Sequence, residues 1–460
     1  MKITYCNYKT VLLSGLLLAC MSCENLVEVD IPANQISTQL VFEDVQTANA
    51  ALAGLYAGLW EDSPVAGGAR GSGALFGIYA DDLDSFATSV VNAEYDLYRN
   101  IHIDDNTAVY AYWAAAYQKV YQANAILEGM ESSSGISAAE KQRIRGEALF
   151  IRSLLLFYLQ QAFGNIPYPV TTSYETNRTI AKTPSAEALK NLESDLKEAI
   201  PMLPEQYREA ERIVANRKAA EFLLARVLMA KHQWNEAETV LKSIVSSPLY
   251  LFEPDLSKVF LKTGKHIVWQ LKPKNAADPT KEATLYYFTN AAPSVYALSD
   301  ALMGSFSTGD QRKSQWTAAV TFNQVTKYRP AKYKNTSNNS TEYSVVFRLE
   351  EAYLLLGEAL AQQDKIPEAL PYVNATRQRA GLAALQPTLS KEALLNEITA
   401  ESRKEFFAEM GLRLMHLKRR GLLGNLTPVK PNFKSYHAVW PIPQKELMLN
   451  KNLNPQNEGY

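Results

Sequence analysis

Sulfur is scarce in this 460-residue chain: it has three cysteines, Cys6, Cys20 and Cys23, all at its start. A disulfide framework needs more, and a Cys-x-x-Cys redox pair needs a strand-to-helix junction that does not surround Cys20. Histidine is nearly as rare. His102, His232, His266, His416 and His437 are the only five, and no two stand at metal-ligand spacing, so no metal is expected. Neither charge dominates, with 47 Lys and Arg against 48 Asp and Glu, which removes the field that would gather nucleic acid or an anionic membrane. There is no Gly-x-Ser-x-Gly elbow, phosphate loop or His-Glu-x-x-His helix. The glycine-rich GGARGSGALFG (Gly67 to Gly77) lacks the preceding strand of a dinucleotide site and reads as a surface loop. Asp81 and Asp82 in YADDLDSF either serve as glycosidase carboxylates or order one loop, and no second carboxylate can be placed against them. The expectation is a protein that is not an enzyme and carries no cofactor.

The first thing the chain does have is a leader. Lys2 and Lys9 precede VLLSGLLLA (Val11 to Ala19), an apolar run too short to span a bilayer, and no later apolar run is long enough to span one either. Leu17, Leu18 and Ala19 ahead of Cys20 resemble a bacterial lipobox, in which the cysteine is diacylated and becomes the N-terminus. Cys20 is the expected anchor, with Cys23 behind Ser22 as the alternative and a cleaved, unlipidated leader as the remaining reading. Residues 1–19 are thus a signal peptide and 20–44 a lipidated tether. Within the tether, ENLVEVDIPANQISTQ has Pro32, mixed polarity and no helical period.

Helical periods dominate from there. VQTANAALAGLYAGLW puts Leu52, Leu55, Tyr56 and Leu59 on one face; Tyr110, Trp113, Tyr117 and Tyr121 form an aromatic stripe that reads as core. Ile144, Ala148, Ile151, Leu155, Tyr158 and Ala162 keep the helical period up to Gly164, a helix stop that Pro167 and Pro169 enforce. Asn216 to Gln233 and the following segment, started by an Asn235–Glu238 cap, form a helix pair. Another follows from Arg348 to Arg379, with Pro367 at the start of its second helix. Such units are similar to tetratricopeptide repeats, which bury a continuous core only when stacked. Between the pairs, residues 254–342 are rich in Asn, Thr, Ser and Pro and read as loops. The C-terminal stretch, with Pro428, Pro431, Pro441, Pro443 and Pro455, reads as irregular.

Six segments in order, from the lipobox and ENLVEVDIP through RIRGEALFIRSLLLFYLQQAFGNIPYP, NRKAAEFLLARVLMAKHQWNEA, RLEEAYLLLGEALAQQDKIPEALPYVNATRQRAGL and EITAESRKEFFAEMGLRLMHLKRRGLL to WPIPQKELMLNKNLNPQNEGY, resemble the SusD/RagB family of outer-membrane lipoproteins from Bacteroidetes. The resemblance implies a mainly α fold of tetratricopeptide-like hairpins with a loop-rich insert and few short strands. Its N-terminal helical part would span 45–253, and its C-terminal part 254–460. It also implies a cell-surface protein that captures an oligosaccharide and delivers it to a SusC-like TonB-dependent transporter. A peptide cargo, or a structural lid that binds no cargo, are the alternatives. His416 and Leu414 depart from the family pattern, where Asp and Trp are usual, which puts one ion pair in doubt. Glu401, Arg403, Glu405, Glu409 and Arg413 are spaced for intrahelical pairs and for tying the last helix to the array. From their places in loops, Tyr79, Asp81, Asp82 and Tyr95 after the first helix and Tyr286, Tyr287, Tyr296 and Trp316 in the insert are the expected ligand contacts, through ring stacking and hydrogen bonds.

Overall fold

Asp44 caps the first helix by accepting the Gln46 and Thr47 amides at 2.8 and 3.1 Å. α1 then runs Val45–Glu61, burying Ala48, Leu52, Leu55 and Leu59 at the expected spacing. The computed structural model describes residues 41–87 and 92–460; Cys20, Cys23, the leader and most of the tether lie outside the described residues. Two shorter helices, α2 (Ser72–Tyr79) and α3 (Ala93–Arg99), lead to a hairpin of two long ones, α4 (Thr107–Ser132) and α5 (Ala138–Phe163). Asn106 and Ser137 cap this pair, and Gly164 ends it at φ 73°.

The array continues through α6 (Ser185–Met202), α7 (Arg217–Ala230) and α8 (Trp234–Val245), each packed on its predecessor. Asn216 caps α7 as its sequence requires. The Asn235–Glu238 cap does not form: α8 starts at Trp234, and Glu238 instead accepts Lys242, Gln363 and Lys365. After a short helix α9 (Gln311–Trp316), the second pair is α10 (Leu349–Gln362), which also packs on α8, and α11 (Ile366–Arg379). α12 (Lys391–Phe406) covers α10, α13 (Leu412–Arg419) returns to α2, and α14 (Gln444–Leu449) lies in the C-terminal segment.

Residues 254–342 hold more order than a loop reading allows. β2 (Ile267–Leu271) pairs antiparallel with β6 (Ser344–Arg348), and both are wholly buried. A second antiparallel sheet has the order β1-β3-β5-β4, from β1 (Leu83–Ser85), β3 (Tyr296–Leu298), β4 (Thr317–Phe322) and β5 (Val325–Pro330). Asn323 and Gln324, both at positive φ, make the two-residue turn that joins β4 to β5.

The glycine-rich stretch is corrected in its second half: residues 67–71 are a turn with Arg70 exposed, but from Ser72 the chain is the helix α2, buried along nearly its whole length. Its small residues let it approach the turn between α12 and α13, where Gly411 sits at φ 70° and an added Cβ would lie 2.5 Å from the Phe76 ring. Gly411→Ala is expected to lower the unfolding free energy by about 1–3 kcal/mol, read by denaturant titration.

Candidate functional site

The two groups of expected contacts, far apart in sequence, meet at the β1–β3 pairing, where Leu83 faces Leu298 and Ser85 faces Tyr296. The Phe86 amide extends the pairing to the Val295 carbonyl at 2.8 Å, and the Ser299 amide and hydroxyl bond the Asp82 and Asp81 carbonyls. What fastens β1 to the helical body is a carboxylate–guanidinium knot. Arg413 holds Asp81 through two hydrogen bonds of 2.8 and 3.0 Å, while Arg403 reaches Asp82 at 2.9 Å and the Asp81 carbonyl at 2.7 Å. Burial opposes ionisation of Asp81, but the two arginines outweigh it and hold its carboxyl below the usual range. Asp82 is fully enclosed; there burial wins and raises it. Lys430, donating to the Ile78 and Tyr98 carbonyls, is lowered by burial to about 7.

This geometry corrects six of the eight expected contacts. Asp81 and Asp82 are spent on Arg403 and Arg413 and are no glycosidase pair. Tyr79 is 1% exposed and donates its hydroxyl to the His437 carbonyl; Trp316 is 1% exposed and donates to Leu256. Tyr286 and Tyr296, with rings 6.4 Å apart, are buried beneath the sheet face. Two remain accessible. Tyr95 is half-buried and stacks on Tyr98, ring centres 5.8 Å apart at 28°; Tyr287 is 44% exposed.

These two belong to one face. Lys327 and Arg329 are two apart on β5, so their side chains leave the same side of the sheet. Lys327 lies over the Phe86 ring at 5.9 Å, and Arg329 over the Tyr287 ring at 4.6 Å. Asp84 points to that side too, accepting the Tyr98 hydroxyl at 3.2 Å, while Asp300 holds Lys327 at 3.2 Å. Burial and the adjacent Asp84 push the Tyr98 phenol up to about 12, so it stays a neutral donor. Arg329 Nε is buried without a partner among the described residues. The face thus presents Tyr95, Tyr98, Phe86 and Tyr287 as rings, bordered by two carboxylates and two cations. Rings of this kind stack on apolar sugar faces and the border satisfies hydroxyls. Phe86, Tyr98, Lys327 and Arg329 escaped the sequence reading; only KYR, with Tyr328 between two cations, shows a polar–apolar–polar alternation.

Residues 37–229 match a family described as starch-binding and associating with the outer membrane, and residues 271–425 match the SusD family. The chain belongs to the SusD/RagB family. SusD-like protein P25 of Formosa agariphila is 24% identical over 97% of this chain and 98% of its own length, and SusD-like protein P2 of the same organism is 26% identical over 78% and 82%. Among solved structures, a SusD superfamily protein of Bacteroides vulgatus superposes with a TM-score of 0.78 at 21% identity, covering 91% of this chain and all of that one. Surface glycan-binding protein A of Bacteroides thetaiotaomicron, in complex with laminarihexaose, does so with 0.75 at 18% identity, covering 90% and 99%. These superpositions establish the SusD fold, mainly α with few short strands.

Within that fold the departures at Leu414 and His416 are both buried. His416 lies buried near Arg226, Arg413 and Arg419; burial, then these cations, lowers it well below the usual range, so it stays neutral. The neighbouring arginines find carboxylates elsewhere, Arg226 on Glu351 and Arg419 on Glu358. Among the described residues, no group of three His, Cys, Asp or Glu stands in metal-holding geometry, and no helix is long and apolar enough to cross a membrane.

Proposed function

We propose that this SusD/RagB protein is a cell-surface binding protein, not an enzyme, that holds an oligosaccharide on the face formed by Tyr95, Tyr98, Phe86 and Tyr287 and passes it to a SusC-like TonB-dependent transporter. The observation that carries the reading is the convergence of these rings with Lys327, Arg329 and Asp84 on one side of one sheet. The glycan-binding neighbour and the starch-binding family description support a carbohydrate cargo. Ring stacking plus a few hydrogen bonds is worth about 5 to 7 kcal/mol, which corresponds to micromolar to submillimolar binding. An anchor at Cys20, or at Cys23, keeps the chain at the outer membrane, facing the exterior.

Isothermal titration of the chain from Asn25 onward against neutral oligosaccharides and peptides tests the cargo. Binding of a saccharide is expected, weakened about tenfold by Tyr287→Ala, since that ring is exposed and its loss removes a stacking partner without opening the core. Silence towards every saccharide would reject the reading. Mass spectrometry of the N-terminal peptide is expected to show a diacylated Cys20 or Cys23, and an unmodified terminus would remove the anchor.

A further inference from the structure

The aromatic stripe of α4 is only partly core. Trp113 is buried and Tyr110 and Tyr117 half-buried, but Tyr121 is 54% exposed, and together with Tyr174 it walls a cleft of about 390 Å3. The α4 residues line one part of it, and the 167–180 segment, which carries Tyr174, and α14 with Leu449 line the rest. The size is that of a small-molecule site, and the lining is mostly apolar with a few convergent polar groups.

Two of those polar groups, Asn177 and Glu446, are acceptors short of donors. Asn177 donates Nδ2 to the Thr171 carbonyl at 2.7 Å, while its Oδ1 is buried with no donor among the described residues. Glu446 lies in the cleft wall, where burial raises its carboxyl above the usual range, and Lys445 and the Trp113 indole offset this only in part. Lys445 itself donates to the Tyr110 hydroxyl. The other amides are spent: Asn124 donates to the Pro169 carbonyl and accepts Arg152, and Asn450 donates to Ile180. A fitting guest must offer flat apolar faces to the exposed Tyr121 and Tyr174 rings and a hydroxyl donor to Glu446. A pyranose does both. An aliphatic segment would cover the rings and leave the Glu446 carboxyl further desolvated and unmet, which costs free energy.

We infer that this cleft is a second saccharide-binding site, on the helical side of the molecule, taking one or two neutral sugar units of a chain. It rests on the carbohydrate reading above but not on the sheet face, since it shares no residue with it. A long glycan engaging both places would gain avidity from the second event being intramolecular.

The test uses Trp113 as a reporter in the chain from Asn25 onward, with Trp113→Phe to assign its emission. Laminari-, malto-, cello- and xylo-hexaose are titrated against wild type, Tyr121→Ala/Tyr174→Ala and Tyr95→Ala/Tyr287→Ala; all four replaced rings are at least partly exposed, so folding should survive, as circular dichroism checks. Expected is a saturable Trp113 change with at least one hexaose, weakened tenfold or more by the Tyr121/Tyr174 pair and unaltered by the Tyr95/Tyr287 pair. Calorimetric binding that only the Tyr95/Tyr287 pair abolishes, with Trp113 silent, would overturn the second site and leave the sheet face standing. A Trp113 change that the Tyr121/Tyr174 pair does not weaken would overturn it as well. No calorimetric or optical response to any hexaose would sink both.

Discussion

Glu405→Ala is expected to cost about 3–5 kcal/mol of unfolding free energy, enough to leave little folded protein at physiological temperature. Glu405 is fully buried and accepts three guanidinium groups at once: Arg348 at 2.6 Å, Arg312 at 3.1 Å and Arg379. Around it, Arg312 also bonds Asp310 and Glu401 at 2.8 and 2.6 Å, Arg379 bonds Glu350 at 2.7 Å, and Glu409 takes Arg348 at 2.9 Å and Lys332. The network ties α9 of the insert, β6, α10, α11 and α12 into one body. Deleting its central carboxylate removes the acceptor that three buried guanidinium groups share, and leaves Arg312, Arg348 and Arg379 only their outer partners Asp310, Glu401, Glu409 and Glu350. Denaturant titration at neutral pH measures the loss.

The same carboxylate sets a pH dependence. Burial pushes Glu405 up, but Arg379, Arg348 and Arg312 outweigh it and hold it far below the usual carboxylate range. A carboxyl depressed in the folded state binds its proton more readily when unfolded, so its stabilisation is complete above the unfolded value, about 4.3, and is lost as pH falls towards the folded one. Wild-type stability is therefore expected to decline below about pH 5.

That network explains why some of the fold was legible in the sequence and some was not. Ile144 to Ala162 announce their helix because burial recurs every turn, and the information is local. Glu401, Glu405 and Glu409 look equally helical, at i and i+4, yet their close partners are not the intrahelical ones that spacing suggests; these arrive from Arg312 and Arg348, 57 to 93 residues away. Asp81 and Asp82 find their partners near the other end of the chain, so a local reading saw only two carboxylates in a loop. The candidate face was legible to about the same depth. Both regions proposed from loop composition do meet, but Tyr286 and Tyr287 are neighbours of identical chemistry, one buried and one exposed, and only the packing beneath the sheet separates them. The strands themselves are three to six residues long, too short to impose a period against their polar surroundings.

Arg403→Met is expected to produce the second large effect, with the opposite response to acid. The methionine fills most of the volume but removes the hydrogen bonds to the Asp81–Asp82 pair, and Asp82, 2% exposed, then keeps no bonded cation, whereas Asp81 retains Arg413. An uncompensated buried carboxylate costs about 3–5 kcal/mol, unless it takes up a proton. Asp82 already lies above the usual range in the native protein because burial outweighs Arg403, so the variant's Asp82 rises further. A carboxyl raised in the folded state destabilises above its folded value and is relieved as pH falls through it. The stability gap between Arg403→Met and wild type should therefore narrow as pH falls from neutrality towards the unfolded carboxyl value, measured by denaturant titration at each pH, while the gap for Glu405→Ala stays constant down to about pH 5. Because Asp82 and its carbonyl link to Ser299 anchor the β1–β3 pairing, the same variant should also weaken saccharide binding at Tyr95 and Tyr287 without touching either ring. Unchanged affinity in a folded Arg403→Met protein would show that the sheet face is held by the strands alone and not by the arginine knot beneath them.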